Sequence, residues 1–172
     1  MEKLQEMLAT ALKMEEKGYK FYSEIVPKIN DQVGKTLFTM LRDDELIHIE
    51  RIKEIYGKLT ASTDWNITLE NLPSQKDQGL ASLLRNLATK HREGINSDSD
   101  EMKALEVGIE FEAGAVAYYQ KHLENATEEN EKQFIQRMIE EEKEHHAVLV
   151  DMQSFYTDPA AWFVEHEHPH LD

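Results

Sequence analysis

Apolar residues recur every three or four positions over four long stretches of the chain, which is the spacing that places them on one face of an α-helix. The first stretch carries this face at Leu4, Leu8, Ala11, Glu15, Gly18, Tyr22, Ile25 and Ile29. The second carries it at Phe38, Leu41, Glu45, His48, Ile52, Ile55 and Leu59. The third carries it at Leu105, Gly108, Glu112, Ala115, Tyr119 and Ala126, and the fourth at Ile135, Met138, Glu142, His145, Leu149, Met152 and Tyr156. Four amphipathic helices are therefore predicted.

Turn-forming residues separate these helices. Pro27 and the Asn30-Asp31 pair predict the first turn, and Asp158-Pro159 predicts the end of the fourth helix. Residues 60–98 lose the helical period except for a short predicted helix at about 80–92. A connection of this length can run along a whole bundle, so the second and third helices can be parallel. We predict an all-α four-helix bundle over residues 1–157 and a tail over residues 158–172.

Each apolar face is interrupted by acids or histidines, and the interruptions repeat at a constant separation of 97 residues. Each copy reads Glu, then Glu-x-x-His with its Glu thirty residues later. The repeated residues are Glu15 and Glu112, Glu45 and Glu142, and His48 and His145. The midpoint of each Glu pair falls in a predicted turn, at residues 30 and 127. With a rise of roughly 1.5 Å per residue, all four carboxylates should lie in one layer about 22 Å from those turns.

Four carboxylates in an apolar layer repel one another and lose solvation, whereas two divalent cations cancel their charge. The two imidazoles add one nitrogen each, and a donor set without sulfur favours iron or manganese, with zinc also possible. We therefore predict a site for two metal ions with the ligands Glu15, Glu45, His48, Glu112, Glu142 and His145. The Glu of each Glu-x-x-His pair is expected to bridge the ions. The other Glu residues are expected to be terminal ligands, and each His to complete one ion.

Four further residues lie close to this layer. Tyr22 and Tyr119 follow the terminal Glu residues by two helical turns, where a phenol either donates a hydrogen bond to a metal-bound carboxylate or simply packs in the core. Asp44 and Glu141 are related by the same repeat, and they either orient the His ring of a neighbouring helix or lie on the surface.

Two small residues, Gly18 and Ala115, lie one turn beyond the terminal Glu residues. They either leave room for a small oxidant or allow the helices to pack closely. In the tail, Trp162 and Phe163 are too apolar to be free in water, so we expect them to dock on the bundle or on a second subunit. The tail histidines either bind a further metal ion or are solvent-exposed; they are His166, His168 and His170.

Composition limits the other possibilities. The formal net charge of the 172-residue chain is −15, from 34 acidic and 19 basic residues, which disfavours nucleic acid and anionic membranes as partners. The chain has no cysteine, so disulfides and thiolate metal sites are excluded, and a reducing, cytoplasmic location is expected. No apolar run approaches the roughly 20 residues that span a bilayer.

Four segments together resemble the ferritin-like di-iron superfamily and, within it, the rubrerythrin-like branch. They are residues 11–22 (ALKMEEKGYKFY), 45–48 (ELIH), 112–119 (EAGAVAYY) and 142–145 (EKEH). The resemblance covers residues 1 to about 157. It implies a ferritin-like four-helix bundle with the long crossover between its second and third helices. It also implies a non-haem centre of two iron ions that reacts with hydrogen peroxide or dioxygen, with its ligands at the six matching positions.

The chain departs from the rubrerythrin pattern in two respects. Without cysteine it lacks the rubredoxin-like module, so electrons must come from a separate donor protein. Peroxidase-type rubrerythrins carry an additional carboxylate one turn past the Glu of the third helix, and this chain has Ala115 there. The resemblance therefore implies a six-ligand, bacterioferritin-like centre.

The leading hypothesis is a redox-active di-iron protein of the peroxide reductase or ferroxidase type, expected to be a homodimer. The alternative is a non-catalytic protein that binds iron or another metal for sequestration or sensing, with cage-like storage as a variant. A purely structural bundle that binds a partner through its acidic surface is the third possibility.

Overall fold

The computed structural model describes residues 2–61, 72, 79–92 and 99–167. Within these ranges the chain is helical and contains no strand. The helices are α1 (Glu2–Ile25), α2 (Gln32–Ala61), α3 (Leu80–Lys90), α4 (Ser99–Leu123), α5 (Glu129–Thr157) and α6 (Pro159–Glu167). A 3-10 turn, Val26–Lys28, follows α1. None of these helices combines the length and apolar content that a bilayer-spanning segment requires.

The turn between α1 and α2 is closed by two buried acids. Oδ2 of Asp31 accepts a hydrogen bond from the amide of Gly34 at 2.9 Å and so caps the free amides at the start of α2. Glu101, from the start of α4, accepts the amides of Asn30 and Asp31 at 2.9 and 3.0 Å. The phenol of Tyr156 donates to Asp31 at 2.5 Å. The predicted turn is thus fixed to the second half of the chain.

The four long helices form two hairpins, α1 with α2 and α4 with α5. Between hairpins, Tyr22 of α1 contacts Glu112 of α4, and Tyr119 of α4 contacts Glu15 of α1. Residue numbers rise along one helix as they fall along the other, so α1 and α4 are antiparallel.

The other pair of helices, α2 and α5, shows the same crosswise pattern. His48 contacts Glu141, and Asp44 contacts His145. Because α2 is antiparallel to both α1 and α5, and α1 is antiparallel to α4, helices α2 and α4 are parallel. This confirms the predicted ferritin-like four-helix bundle, in which a long crossover joins two parallel helices.

Two apolar clusters fill the bundle on either side of the predicted polar layer. The cluster near the α1–α2 turn includes Phe38, Leu41 and Phe155, and the opposite cluster includes Leu8, Ile55 and Phe134. All of these side chains are buried. Burying a large apolar side chain contributes roughly 1.5–3 kcal/mol, so the two clusters offset the cost of holding charged groups between them.

Helices α3 and α6 cover the end of the first cluster. Leu80 and Leu84 of α3 are buried in it, in agreement with the predicted short crossover helix. The sequence did not predict α6, which begins at Pro159 with Asp158 accepting the amide of Ala161 at 3.0 Å. In α6, Trp162 and Phe163 pack their rings against Phe155, with centroids 5.1 and 6.0 Å away. Of the three tail histidines, His168 and His170 lie outside the described residues.

Candidate metal centre

All six predicted ligands converge in one layer in the middle of the bundle. Helix α1 supplies one Glu, α2 a Glu and a His, α4 one Glu, and α5 a Glu and a His. They are Glu15, Glu45, His48, Glu112, Glu142 and His145, and none is more than 1% exposed. The predicted level-matching of the two repeats is therefore observed.

The ligand atoms form two groups, in each of which all atoms lie within 4.8 Å of one another. The first contains Glu45, Glu112, Glu142 and His145, and the second contains Glu15, His48 and Glu142. Glu142 is common to both, which is the position of a carboxylate able to bridge two cations. Distances of this size suit oxygen and nitrogen atoms around a single ion.

The two imidazole rings are oriented by acids from the opposite hairpin. His48 Nε2 lies 3.0 Å from Oε2 of Glu141, and His145 Nε2 lies 3.3 Å from Oδ2 of Asp44. Each Nδ1 consequently faces the carboxylate layer; that of His48 is 3.1 Å from Glu15. Hydrogen bonding at Nε2 leaves Nδ1 as the nitrogen that could bind a metal ion. Of the two alternatives for Asp44 and Glu141, contact with a His ring of the neighbouring helix is the one observed.

Of the two alternatives for the tyrosines, hydrogen bonding to carboxylates of the layer is the one observed, and each bond joins the two repeats. Tyr22 donates to Oε1 of Glu112, and Tyr119 donates to Oε1 of Glu15 at 2.5 Å. Burial, and then the facing carboxylate, raise the pKa of both phenols well above the usual value, so each remains a donor. Each Glu predicted to be terminal is thus held by the other half of the chain.

Several carboxylate oxygens of the layer are buried without a hydrogen bond from any described residue. They include both oxygens of Glu45 and Oε2 of Glu112. Buried polar atoms left unpaired cost about 1–3 kcal/mol each, and charged atoms cost more. A pair of divalent cations would satisfy these atoms and neutralise their charge, so the residues present fit a di-metal group.

The electrostatics of the site agree with this requirement. Burial, followed by repulsion from neighbouring carboxylates, raises the pKa of Glu45 well above its usual range. Burial is also the main cause that raises the pKa of Glu112 to about 8. Burial lowers the pKa of His48 and of His145, but the facing carboxylates more than reverse this and hold both values above the usual one. Without metal, the layer therefore retains protons at neutral pH.

Two arginines that the sequence did not predict complete the site on one side. Arg51 is fully buried, and its Nη1 and Nη2 donate to Glu141 at 2.5 and 3.2 Å. Nε of Arg137 donates to the same carboxylate at 3.1 Å. Burial raises the pKa of Glu141, but His48 and Arg51 outweigh it and lower the pKa to about 2. The sequence signal that could have identified Arg51 is its position, because it lies one helical turn after His48 on the inward face.

Gly18 of α1 lies directly against the site. A Cβ at this position would be 2.6 Å from Cε1 of Phe111 and 2.9 Å from Oε2 of Glu45. Both distances are shorter than real Cβ contacts. Of the two functions considered for this glycine, close packing of α1 against α4 and against a ligand carboxylate is the one observed.

Comparison with protein families identifies the family of this chain. The rubrerythrin family model matches residues 6–97, which contain α2, α3 and all of α1 except its first four residues. Glu15, Glu45 and His48 lie in the matched segment, and the other three candidate ligands lie on the repeat-related hairpin beyond it. Neither a search of curated proteins nor a search of solved structures returned a match. Because the matched segment spans more than half of the 172 residues, the chain belongs to the rubrerythrin family.

Proposed function

We propose that this protein binds two iron ions and uses them to reduce hydrogen peroxide or dioxygen. The observation that carries the proposal is the buried layer of four carboxylates and two imidazoles, in which several oxygens have no hydrogen-bond partner among the described residues. The rubrerythrin family match and this cluster together support di-iron binding. When bound, two ferrous ions would supply the two electrons that reduce peroxide to water.

The chain's own residues would have separate tasks. Glu142, which belongs to both ligand groups, would contribute to holding both ions, and Glu45, which belongs to the His145 group, would help to hold the ion there. Nδ1 of His48 and Nδ1 of His145 would each complete one ion. Tyr22 would hold Glu112 in its binding orientation and exclude water from that side. Peroxide turnover would also require a separate electron-donor protein, because the chain has no cysteine with which to hold an iron–sulfur or rubredoxin-type centre.

Anaerobic titration with ferrous iron followed by peroxide tests the proposal. We expect about two iron ions per chain and, on adding peroxide, a near-ultraviolet absorption of the oxidised centre. Glu142→Gln should reduce the iron content to one or fewer per chain. Glu140→Gln is the matched control, because Glu140 is exposed in the same helix and should change neither readout. An iron content below one in the unmodified protein would reject the proposal.

The same experiment distinguishes the non-catalytic alternative. Sequestration or sensing requires tight metal binding but no repeated peroxide consumption when a chemical reductant is supplied. Turnover that is abolished in Glu142→Gln and retained in Glu140→Gln favours the redox function. Tight binding without turnover favours sequestration or sensing.

A further inference from the structure

The candidate ligands follow the internal repeat, but the arginines that lie behind them do not. Arg51 has Val148 as its counterpart 97 residues later, and Arg137 has Met40 as its counterpart 97 residues earlier. Val148 is buried at the position where its counterpart carries a guanidinium. The repeat therefore provides its own comparison: two nearly identical ligand sets, only one of which is backed by arginines.

On the His48 side, the acid that binds the imidazole is shared with two guanidinium groups. Glu141 lies 3.0 Å from His48 Nε2 and accepts hydrogen bonds from Arg51 and Arg137. The side chain of Arg51 is 0% exposed and that of Arg137 is 29% exposed. Two positive charges thus stand behind one negative charge, and the more buried of them is poorly screened by solvent.

On the His145 side, the corresponding acid contacts the imidazole and is not shared with an arginine among the described residues. Asp44 lies 3.3 Å from His145 Nε2, and within the described ranges no lysine or arginine forms a salt bridge with it. The nearest arginine in sequence, Arg42, pairs with Asp43 instead. The ligand groups differ in the same sense, since the His145 group gathers three carboxylates around its imidazole and the His48 group gathers two.

We propose that the two metal positions are not equivalent: the His145 position binds its cation first and more tightly, and Arg51 is the positioning residue that weakens the His48 position. The inference rests on the proposed di-metal function. Behind its imidazole, a cation at His48 has two guanidinium groups and one carboxylate, whereas a cation at His145 has one carboxylate there and an additional carboxylate ligand. Both differences favour the same order of filling.

Calorimetric titration with Co²⁺ under anaerobic conditions tests the order without relying on catalytic activity. We expect two binding steps whose dissociation constants differ by about tenfold or more, in the range typical of changes in the outer shell of a metal site. His145→Ala should remove the tighter step and His48→Ala the weaker one. At half an equivalent of Co²⁺, anomalous diffraction should show the ion beside His145. Equal occupancy, or occupancy beside His48 first, would overturn the proposal.

Substitution of the arginines tests the cause. Arg51→Met removes the guanidinium charge but keeps an unbranched side chain, and Arg137 still binds Glu141. We expect the weaker step to tighten by about tenfold while the tighter step is unchanged. Arg42→Met is the matched control, because Arg42 is also on α2 but pairs with Asp43 and not with an acid that contacts either His ring, so its loss should alter neither step. A purely structural role for Arg51 predicts that both steps weaken together, which would contradict the proposal.

Arg137→Met provides a second test, which stands even if the buried substitution prevents folding. Because Arg137 is partly exposed, the weaker step should tighten less, by about two- to fivefold. If Arg137→Met leaves the ratio of the two dissociation constants unchanged, the charge of the arginines is not the cause of the difference. Failure of di-metal binding, on which the proposed function depends, is distinguishable: in that case no Co²⁺ binds at all, whereas two equal steps reject only the inequivalence.

Discussion

At the scale of single residues, the stability of the metal-free site depends on which buried carboxylate oxygens have a hydrogen-bond donor. Each Glu predicted to be terminal receives a phenol from the opposite hairpin, and each His is fixed by an acid behind it. The remaining oxygens of Glu45 have no such partner among the described residues. The tyrosines should therefore contribute to stability before any metal binds, because each satisfies an oxygen that is out of reach of water.

Tyr22→Phe removes one of these hydrogen bonds without changing the volume of the core. We expect the free energy of unfolding of the metal-free protein to fall by about 1–3 kcal/mol, since a buried acceptor loses its donor. Urea denaturation measures the change. Tyr56→Phe is the control, because Tyr56 is 39% exposed and its variant should lie within about 0.5 kcal/mol of the unmodified protein. Equal effects of the two substitutions would contradict the assigned role.

At the scale of helices, the contact between α1 and α4 brings the backbone close to the ligands. Gly18 allows this approach, since a Cβ there would meet both the Phe111 ring and a Glu45 oxygen. Its counterpart in the repeat, Ala115, is buried and tolerates one methyl group. The two hairpins are thus related by sequence but are packed with different clearances.

Gly18→Ala should lower stability, whereas Gly114→Ala should raise it. Alanine favours a helix over glycine by roughly 1 kcal/mol, and nothing lies within 4 Å of a Cβ at Gly114. At Gly18 the same gain is offset by overpacking, which costs about 1–3 kcal/mol. Thermal unfolding of both variants measures the difference. If Gly18→Ala stabilises the protein as much as Gly114→Ala does, the close approach is not a constraint.

The elements differ in how far they follow from sequence alone. The four long helices and their turns were predictable, because an apolar period of 3.6 residues and cap residues such as Asp31 are local signals. Helix α6 was not, because Asp158-Pro159 both ends α5 and begins α6, and Trp162 and Phe163 reveal their burial only through contacts with the distant Phe155.

The candidate site likewise contains features that the sequence predicts and features that only the fold reveals. Its six candidate ligands were predictable because the repeat supplies an internal control for each of them. The glutamate–tyrosine pairing across hairpins was not, because it depends on how α1 and α4 face each other. Arg51 was not predicted either, because an arginine on an acidic helix is usually solvated, and only the tertiary fold shows that it is buried with Glu141.

At the scale of the whole molecule, folding and the proposed metal binding should be coupled through the protons of the site. The pKa values of Glu45, Glu112, His48 and His145 are all raised in the metal-free fold, chiefly through burial for the acids and through facing carboxylates for the histidines. For each group, the folded state binds protons more tightly than the unfolded state. Such groups contribute stability at low pH and lose it as pH rises through the folded value.

The stability of the metal-free protein should therefore fall as pH rises from about 5 to 8, the window between the usual pKa of a Glu carboxyl and the value of about 8 for Glu112. Glu141 acts oppositely, but its pKa of about 2 places its effect at lower pH. Thermal unfolding across this range measures the trend. A melting temperature that rises from pH 5 to pH 8 would contradict it.

Metal should reverse this dependence. A cation binds deprotonated ligands, so its affinity should rise with pH up to about 8, the pKa of Glu112, with release of protons on binding. At 100 times its dissociation constant, a metal that binds only the folded state adds roughly 2.7 kcal/mol to stability. Calorimetry in two buffers of different ionisation enthalpy measures the proton release. Identical heats in both buffers would show that the ligands were already deprotonated.

Joining two similar hairpins in one polypeptide has a consequence for how the protein can change over time. In an assembly of two identical hairpin chains, any mutation appears on both sides of the symmetry axis at once. Here an arginine at position 51 and a valine at position 148 coexist. Covalent linkage therefore permits one half of the centre to be adjusted independently, so natural variants at positions 40, 51, 137 and 148 need not change in step with the shared ligands.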